Sequence, residues 1–202
     1  MGDIISAFPS PIILNAISEN TDDLKKELSF IRNSYQGDFH KNCEYRVLEK
    51  YPRIKKILLN KFKQVAKENF GYTNDFIIST SWITQLEEKR EVVHPHCHKN
   101  SFYSGVYYFD EYEDNEGGVL EIMTPLFNHF DFNVMPADWN LYTGRSMKFS
   151  PKKNLLILFP SYLFHQVLYY EGTSIRKSLA FNIVPIGFYG DGDSAVNTKW
   201  LN

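Results

Sequence analysis

A mainly β domain of the jelly-roll type with N-terminal helices as an outer layer is the fold class that this 202-residue sequence predicts. Three observations carry it. From Phe76 onward, short runs rich in Ile, Val, Tyr, Phe and Thr follow one another over 76–85, 90–97, 103–109, 118–123, 154–159, 164–170 and 175–184, as the strands of a sandwich or barrel do. Gly105, Gly117, Gly118, Gly144 and Gly172 punctuate these runs, and no self-similar period of about 20–50 residues recurs, which sets solenoids aside. Aromatic residues make up 16% of the chain, with 13 Tyr and 16 Phe, a content that suits strands around an aromatic-lined cavity.

The elements follow in order. Pro9 and Pro11 hold the neighbouring backbone out of the helical region, so the chain starts extended. Thr21, followed by Asp22 and Asp23, marks a helix start, and Leu24, Leu28 and Ile31 supply an apolar stripe at helical spacing. A second helix begins at Pro52, in a first turn where its missing N–H costs nothing, and carries Ile54, Leu58, Phe62 and Val65 on one face until Gly71. These two helices form the outer layer and the runs after Phe76 the sheets. The stretch 124–147, with Phe127, Phe130, Phe132, Trp139 and Tyr142 among polar residues, exceeds ordinary connection lengths and reads either as a lid over a site or as an irregular packed excursion. The sequence therefore divides as one domain over 1–202: a helical layer over 1–75, a jelly-roll core over 76–185 and a C-terminal tail over 186–202.

Composition excludes several function classes. The formal net charge of −2 lacks the basic footprint of a nucleic-acid binder and disfavours a polyanionic partner. Cys43 and Cys97 are too few for a disulfide framework, so a reducing, cytoplasmic setting is expected. The longest nearly apolar stretch, Leu155 to Pro160, falls far short of the ~20 residues that span a bilayer. Residues 1–6, Met-Gly-Asp-Ile-Ile-Ser, match the myristoylation pattern, but no polybasic patch follows, and one acyl chain anchors only marginally. Exposed Phe or Tyr would support a homodimer, and no heptad array argues for any other assembly.

The histidines carry the chemistry. His40 stands apart, whereas His94, His96 and His98 share one run and His129 and His165 follow later. On an extended segment, residues two apart face the same side, so His96 and His98 present paired imidazoles, with His94 leaving open which pair binds a metal. His165 follows a buried strand and turn, where an imidazole without a partner is costly, and is a candidate third ligand. Eleven residues on, Arg176 opens an alternating face that continues through Ser178, Ala180 and Asn182. An inward guanidinium beside a metal suits a small dicarboxylate whose other end chelates the ion, with Ser178 adding a hydroxyl; an outward Arg paired with Asp or Glu is the ordinary alternative.

Four segments together carry a family resemblance: Pro95-His96-Cys97-His98-Lys99-Asn100-Ser101, Ser104-Gly105-Val106-Tyr107-Tyr108, Leu156 to His165, and Arg176-Lys177-Ser178-Leu179-Ala180-Phe181-Asn182. Over roughly 76–185 the sequence resembles the 2-oxoglutarate/Fe(II)-dependent oxygenases of phages and marine bacteria, distantly similar to the prolyl hydroxylases. The resemblance implies a double-stranded β-helix, a non-haem Fe(II) at its mouth, 2-oxoglutarate as cosubstrate, and O2 used to hydroxylate a C–H bond of an unidentified small molecule or peptide side chain. It places the metal ligands at His96, His98 and His165, the cosubstrate arginine at Arg176, its hydroxyl partner at Ser178 and a carboxylate-binding tyrosine at Tyr108, with no catalytic residue beyond the metal centre. The wider superfamily's His-x-Asp/Glu is here His-x-His, so the iron would lose its carboxylate, or His98 would stand behind the ligands. Two other readings compete. A three-histidine cupin-like dioxygenase without 2-oxoglutarate accounts for His-x-His but leaves Arg176 unexplained. A non-catalytic jelly-roll module with a closed structural zinc leaves it equally idle.

Overall fold

The two helices form because their apolar residues recur every three or four positions. In the computed structural model, which describes residues 9–18, 22–34, 44–87, 92–113, 116–125, 137–138, 140, 142–173 and 175–198, α1 spans Asp22–Ser34 and α2 spans Pro52–Glu68. Leu24, Leu28 and Ile31 of α1 and Ile54, Leu58, Phe62 and Ala66 of α2 are all buried. The Glu27 carboxylate of α1 accepts hydrogen bonds from the backbone N–H groups of Ile54, at 3.0 Å, and Arg53, at 3.4 Å. It thereby satisfies donors that Pro52 leaves open at the start of α2, and its charge suits that helix end. A short 3-10 turn, Val47–Lys50, lies between the helices and was not foreseen.

The strands are β1 (Ile13–Ala16), β2 (Asp75–Leu86), β3 (Val93–His96), β4 (Tyr103–Tyr107), β5 (Leu120–Met123), β6 (Ser146–Phe149), β7 (Leu155–Pro160), β8 (His165–Val167), β9 (Arg176–Ile186), β10 (Phe188–Tyr189) and β11 (Val196–Asn197). A five-stranded antiparallel sheet runs β1-β7-β4-β9-β2, and a four-stranded one runs β3-β8-β5-β6. This mainly β arrangement with helices on one side is the class predicted. Two elements fall elsewhere than expected. β6 lies across the end of the stretch read as a lid, and the C-terminal tail carries the β10–β11 hairpin. Most of that lid stretch, including His129 and Trp139, lies outside the described residues, as do His40 and Cys43. No described helix is long and apolar enough to cross a membrane.

Strand alternation gives the larger sheet two different jobs. Tyr103 and Tyr107 of β4, Leu156 and Leu158 of β7, and Leu179, Phe181 and Ile183 of β9 join the helical residues in one core. Ile157 and Phe159, from the other face of β7, pack with Leu120, Ile122, Leu163 and Val167 between the sheets. The same alternation turns Ser104, Val106, Ser178 and Ala180 toward the interior, where they line a cavity between the sheets. Gly105 marks the tightest approach on the helix side: a Cβ there would stand 2.3 Å from the Phe181 ring.

Gly105→Ala should therefore destabilise the fold by about 1–3 kcal/mol through overpacking. Phe181→Leu in the same background should recover part of the loss. Urea unfolding of the three proteins checks this, and an unchanged midpoint for Gly105→Ala contradicts it.

Candidate metal centre and its anion pocket

His96 ends β3 and His165 opens β8, and the antiparallel register makes them direct cross-strand partners. His98 lies two residues beyond the end of β3, just before the turn at Lys99 and Asn100, and its backbone N–H donates to the Ser161 carbonyl at 3.0 Å. The pairing of His96 and His98 thus comes from a strand end plus the residues that follow it, not from one face of a strand as their spacing suggested. The three rings converge: His96 and His165 are 4.3 Å apart between centroids, His98 and His165 5.0 Å, and His96 and His98 5.1 Å. One ligand nitrogen from each lies within 4.8 Å of the other two. His94 does not join them; it is exposed, and its carbonyl meets the Nδ1 of His96 at 2.7 Å.

Each ring has its Nδ1 against an oxygen. His165 Nδ1 faces the Leu163 carbonyl at 3.1 Å, and His98 Nδ1 faces Asn182 Oδ1 at 2.6 Å. Carbonyl and amide oxygens only accept, so these Nδ1 atoms carry the protons and each Nε2 keeps its lone pair, the form a metal requires. Burial lowers the His165 pKa to about 3, with the neighbouring His96 and His98 pulling the same way. Burial also lowers that of His98, more than its bond to Asn182 raises it. These two donors therefore stay neutral at physiological pH. The donor set, three imidazoles without a thiolate, suits iron among other borderline divalent metals.

The other end of the cavity is cationic. Arg176, at the start of β9, is 2% exposed, and its Nε has no partner. Its Nη2 donates to the Tyr108 hydroxyl at 3.3 Å and its Nη1 to Ser178 Oγ at 3.4 Å, both long contacts. No carboxylate pairs with it among the described residues. A buried cation without an anion is expensive, and a carboxylate is the group whose charge and geometry a guanidinium fork complements. Burial raises the pKa of Tyr108, against the pull of Arg176, so its hydroxyl keeps its proton. The Tyr112 ring stands edge-on to Tyr108 at 5.5 Å, and its hydroxyl donates to the Lys177 carbonyl at 2.5 Å.

Backbone, too, shapes this end. Gly117 and Gly118 both have positive φ, at 77° and 62°. The Gly118 N–H donates to the Tyr169 carbonyl at 2.8 Å, and a Cβ on Gly118 would lie 2.6 Å from both Cδ and Nε of Arg176. This glycine thus lets the chain cross directly over the guanidinium stem. Between the two ends lies a narrow cavity of about 70 Å³, walled by Trp82, Val106, Leu120, Phe159 and Val167. A wider cavity of about 880 Å³ shares His98 and is lined by Phe70, Tyr72, Phe102, Tyr103 and Tyr162. The structure thus brings together all six residues singled out in the sequence. Asn182, Tyr112 and the Gly117–Gly118 pair went unassigned there, although the alternation of β9 had already set Asn182 on the face of Arg176.

Comparison with known proteins agrees with this geometry. A family model described as "Putative 2OG-Fe(II) oxygenase" matches residues 80–182, just over half of the sequence, and the chain belongs to that family. Iron-bound HygX from Streptomyces hygroscopicus superposes with a TM-score of 0.58 at 10% identity, covering 87% of this chain and 82% of that one. The same protein with nickel and 2-oxoglutarate bound gives 0.54 at 9% identity and the same coverage. A prolyl 4-hydroxylase from Phytophthora capsici gives 0.50 at 13% identity, over 81% of this chain and 54% of that one. At these identities the likeness is one of fold. The chain spans about half to three-fifths of the length of several solved oxygenases it matches. No functionally curated protein matches the sequence.

Gly118→Ala should cost at least ~1 kcal/mol from the left-handed backbone and more from the collision with Arg176. The collision part should vanish when Arg176 is also alanine. A double-mutant cycle measured by chemical unfolding checks this, and an equal cost in both backgrounds contradicts it.

Proposed function

We propose, from membership of the 2OG-Fe(II) oxygenase family, that this chain is a 2-oxoglutarate- and Fe(II)-dependent dioxygenase, with His96, His98 and His165 as iron ligands and Arg176, Ser178 and Tyr108 as the cosubstrate site. The observation that carries the reading is the unpaired, buried guanidinium of Arg176 in the same cavity as the three histidines. Iron with 2-oxoglutarate and O2 bound supplies the oxidising chemistry: the cosubstrate becomes succinate and CO2, one oxygen atom entering succinate and the other a C–H bond of the substrate.

The chain's own residues position and neutralise. Arg176 offers a fork of N–H donors, including the unpartnered Nε, to the distal carboxylate of the cosubstrate. The Tyr108 hydroxyl, which has no acceptor for its proton among the described residues, and the Ser178 hydroxyl add two further donors to the same group. Val106, Leu120, Phe159 and Val167 keep water out, and the low dielectric strengthens the charge pairing. Imidazole ligands bring no negative charge, so the two carboxylates of the cosubstrate supply the anionic balance for both the ion and Arg176. A closed structural zinc site gives Arg176 no role, and a three-histidine dioxygenase without 2-oxoglutarate leaves it unpaired. In this reading the substrate is a small molecule or a peptide side chain, and the protein works in the cytoplasm, in keeping with its two cysteines, too few for a disulfide framework.

Calorimetric titration of 2-oxoglutarate into the Co(II)-loaded protein tests the assignment. Arg176→Ala should weaken cosubstrate binding at least ~100-fold, as expected for removing one partner of a buried ion pair. It should leave Co(II) affinity within ~3-fold. Equal 2-oxoglutarate affinity in the two proteins contradicts the assignment.

A further inference from the structure

Two of the three histidines are latched by backbone: His96 by the carbonyl of His94 and His165 by that of Leu163. His98 alone is latched by side chains. Its Nδ1 lies 2.6 Å from Asn182 Oδ1 and 3.1 Å from Ser104 Oγ. The register of three adjacent strands sets this up, because Asn182 of β9 is the direct partner of Thr80 on β2 and of Ser104 on β4.

The Asn182 amide donates from Nδ2 to Thr80 Oγ1 at 3.0 Å, which points its Oδ1 at the imidazole. Ser104 Oγ is 2.8 Å from Ser161 Oγ, Ser161 donates to Ser101 Oγ at 2.9 Å, and Ser101 donates to the Tyr103 carbonyl at 3.1 Å. Ser104 has two acceptors in reach for its one proton, Asn182 Oδ1 at 3.0 Å and Ser161 Oγ, and the row from Ser161 through Ser101 ends on backbone. The proton of His98 is then fixed on Nδ1, facing Asn182 and Ser104. Ser104 and Ser161 are 1% and 0% exposed, so water does not replace a partner lost between these two serines. Trp82 packs against the His98 ring, with centroids 5.4 Å apart, and limits its tilt.

We infer that Asn182, held by Thr80, is the positioning residue that sets the tautomer and ring plane of His98 and so makes it a metal donor. The inference rests on the iron-site reading above. It also explains how a residue outside any strand meets two ligands fixed on strands: the oxygen supplied by β9 does for His98 what backbone carbonyls do for the other two. Partners of this kind are worth about 10- to 100-fold in metal affinity.

The test is a titration with Co(II) alone, followed by its visible d–d bands, on the full chain and on Asn182→Leu and Asn182→Asp. Thermal unfolding of the metal-free proteins establishes that each is folded. Asn182→Leu should bind Co(II) about 10- to 100-fold more weakly with altered bands, whereas Asn182→Asp, which keeps an acceptor for Nδ1–H, should bind within ~3-fold of the parent or tighter. Should the leucine variant not fold, Asn182→Ala carries the same expectation. Parent-like affinity in the leucine or alanine variant, or an aspartate variant as weak as leucine, overturns the inference while the metal site stands. No Co(II) binding by the parent overturns the iron-site reading and this inference with it.

Discussion

A guanidinium buried without an anion among the described residues constrains the rest of this molecule. Holding Arg176 at 2% exposure with its Nε unpartnered costs several kcal/mol, and the surrounding structure is arranged to keep it there. Gly118 adopts positive φ where the backbone crosses its stem, and Tyr108 offers both a hydroxyl and a ring face, 5.3 Å from the guanidinium carbon.

The larger sheet makes such a site affordable. One face of β4, β7 and β9 carries Tyr103, Tyr107, Leu156, Leu158, Leu179, Phe181 and Ile183 into the core beneath α1 and α2. At roughly 25 cal/mol per Å2 of apolar surface removed from water, that face supplies the stabilisation. The other face of the same strands is released to hold Ser104, Ser178 and Asn182. The period-two alternation of a strand is therefore what separates stability from function in this protein.

Much of this was legible beforehand because it is written in local periodicity. The helices followed from Leu24, Leu28 and Ile31 and from Pro52 with its apolar stripe, and the inward run Arg176, Ser178, Ala180 from alternation in β9. What alternation could not show is how chain segments meet. His96 and His98 looked like two positions of one strand, yet His98 lies beyond the end of β3, and its place beside His165 depends on the Ser161 carbonyl and on Asn182. The Asn182 contact joins residues 84 positions apart and has no local signal. Likewise Gly117 and Gly118 read only as punctuation, since the closeness of Gly117 to the Tyr169 carbonyl and of Gly118 to Arg176 exists only once residues 168–171 pair with 116–119. β6 was missed because Ser-Met-Lys-Phe is short and its burial weak.

Three imidazoles at one end of a cavity, and at the other a cation with no ion pair among the described residues, bring no negative charge of their own. The central claim is that one molecule of 2-oxoglutarate spans the two ends. Anaerobic addition of Fe(II) and then 2-oxoglutarate to the purified protein, followed by visible absorption, tests it without knowledge of the substrate. The account predicts a weak metal-to-ligand charge-transfer band that requires both additions and is lost in Arg176→Ala. Iron binding with no such band at saturating 2-oxoglutarate would contradict it.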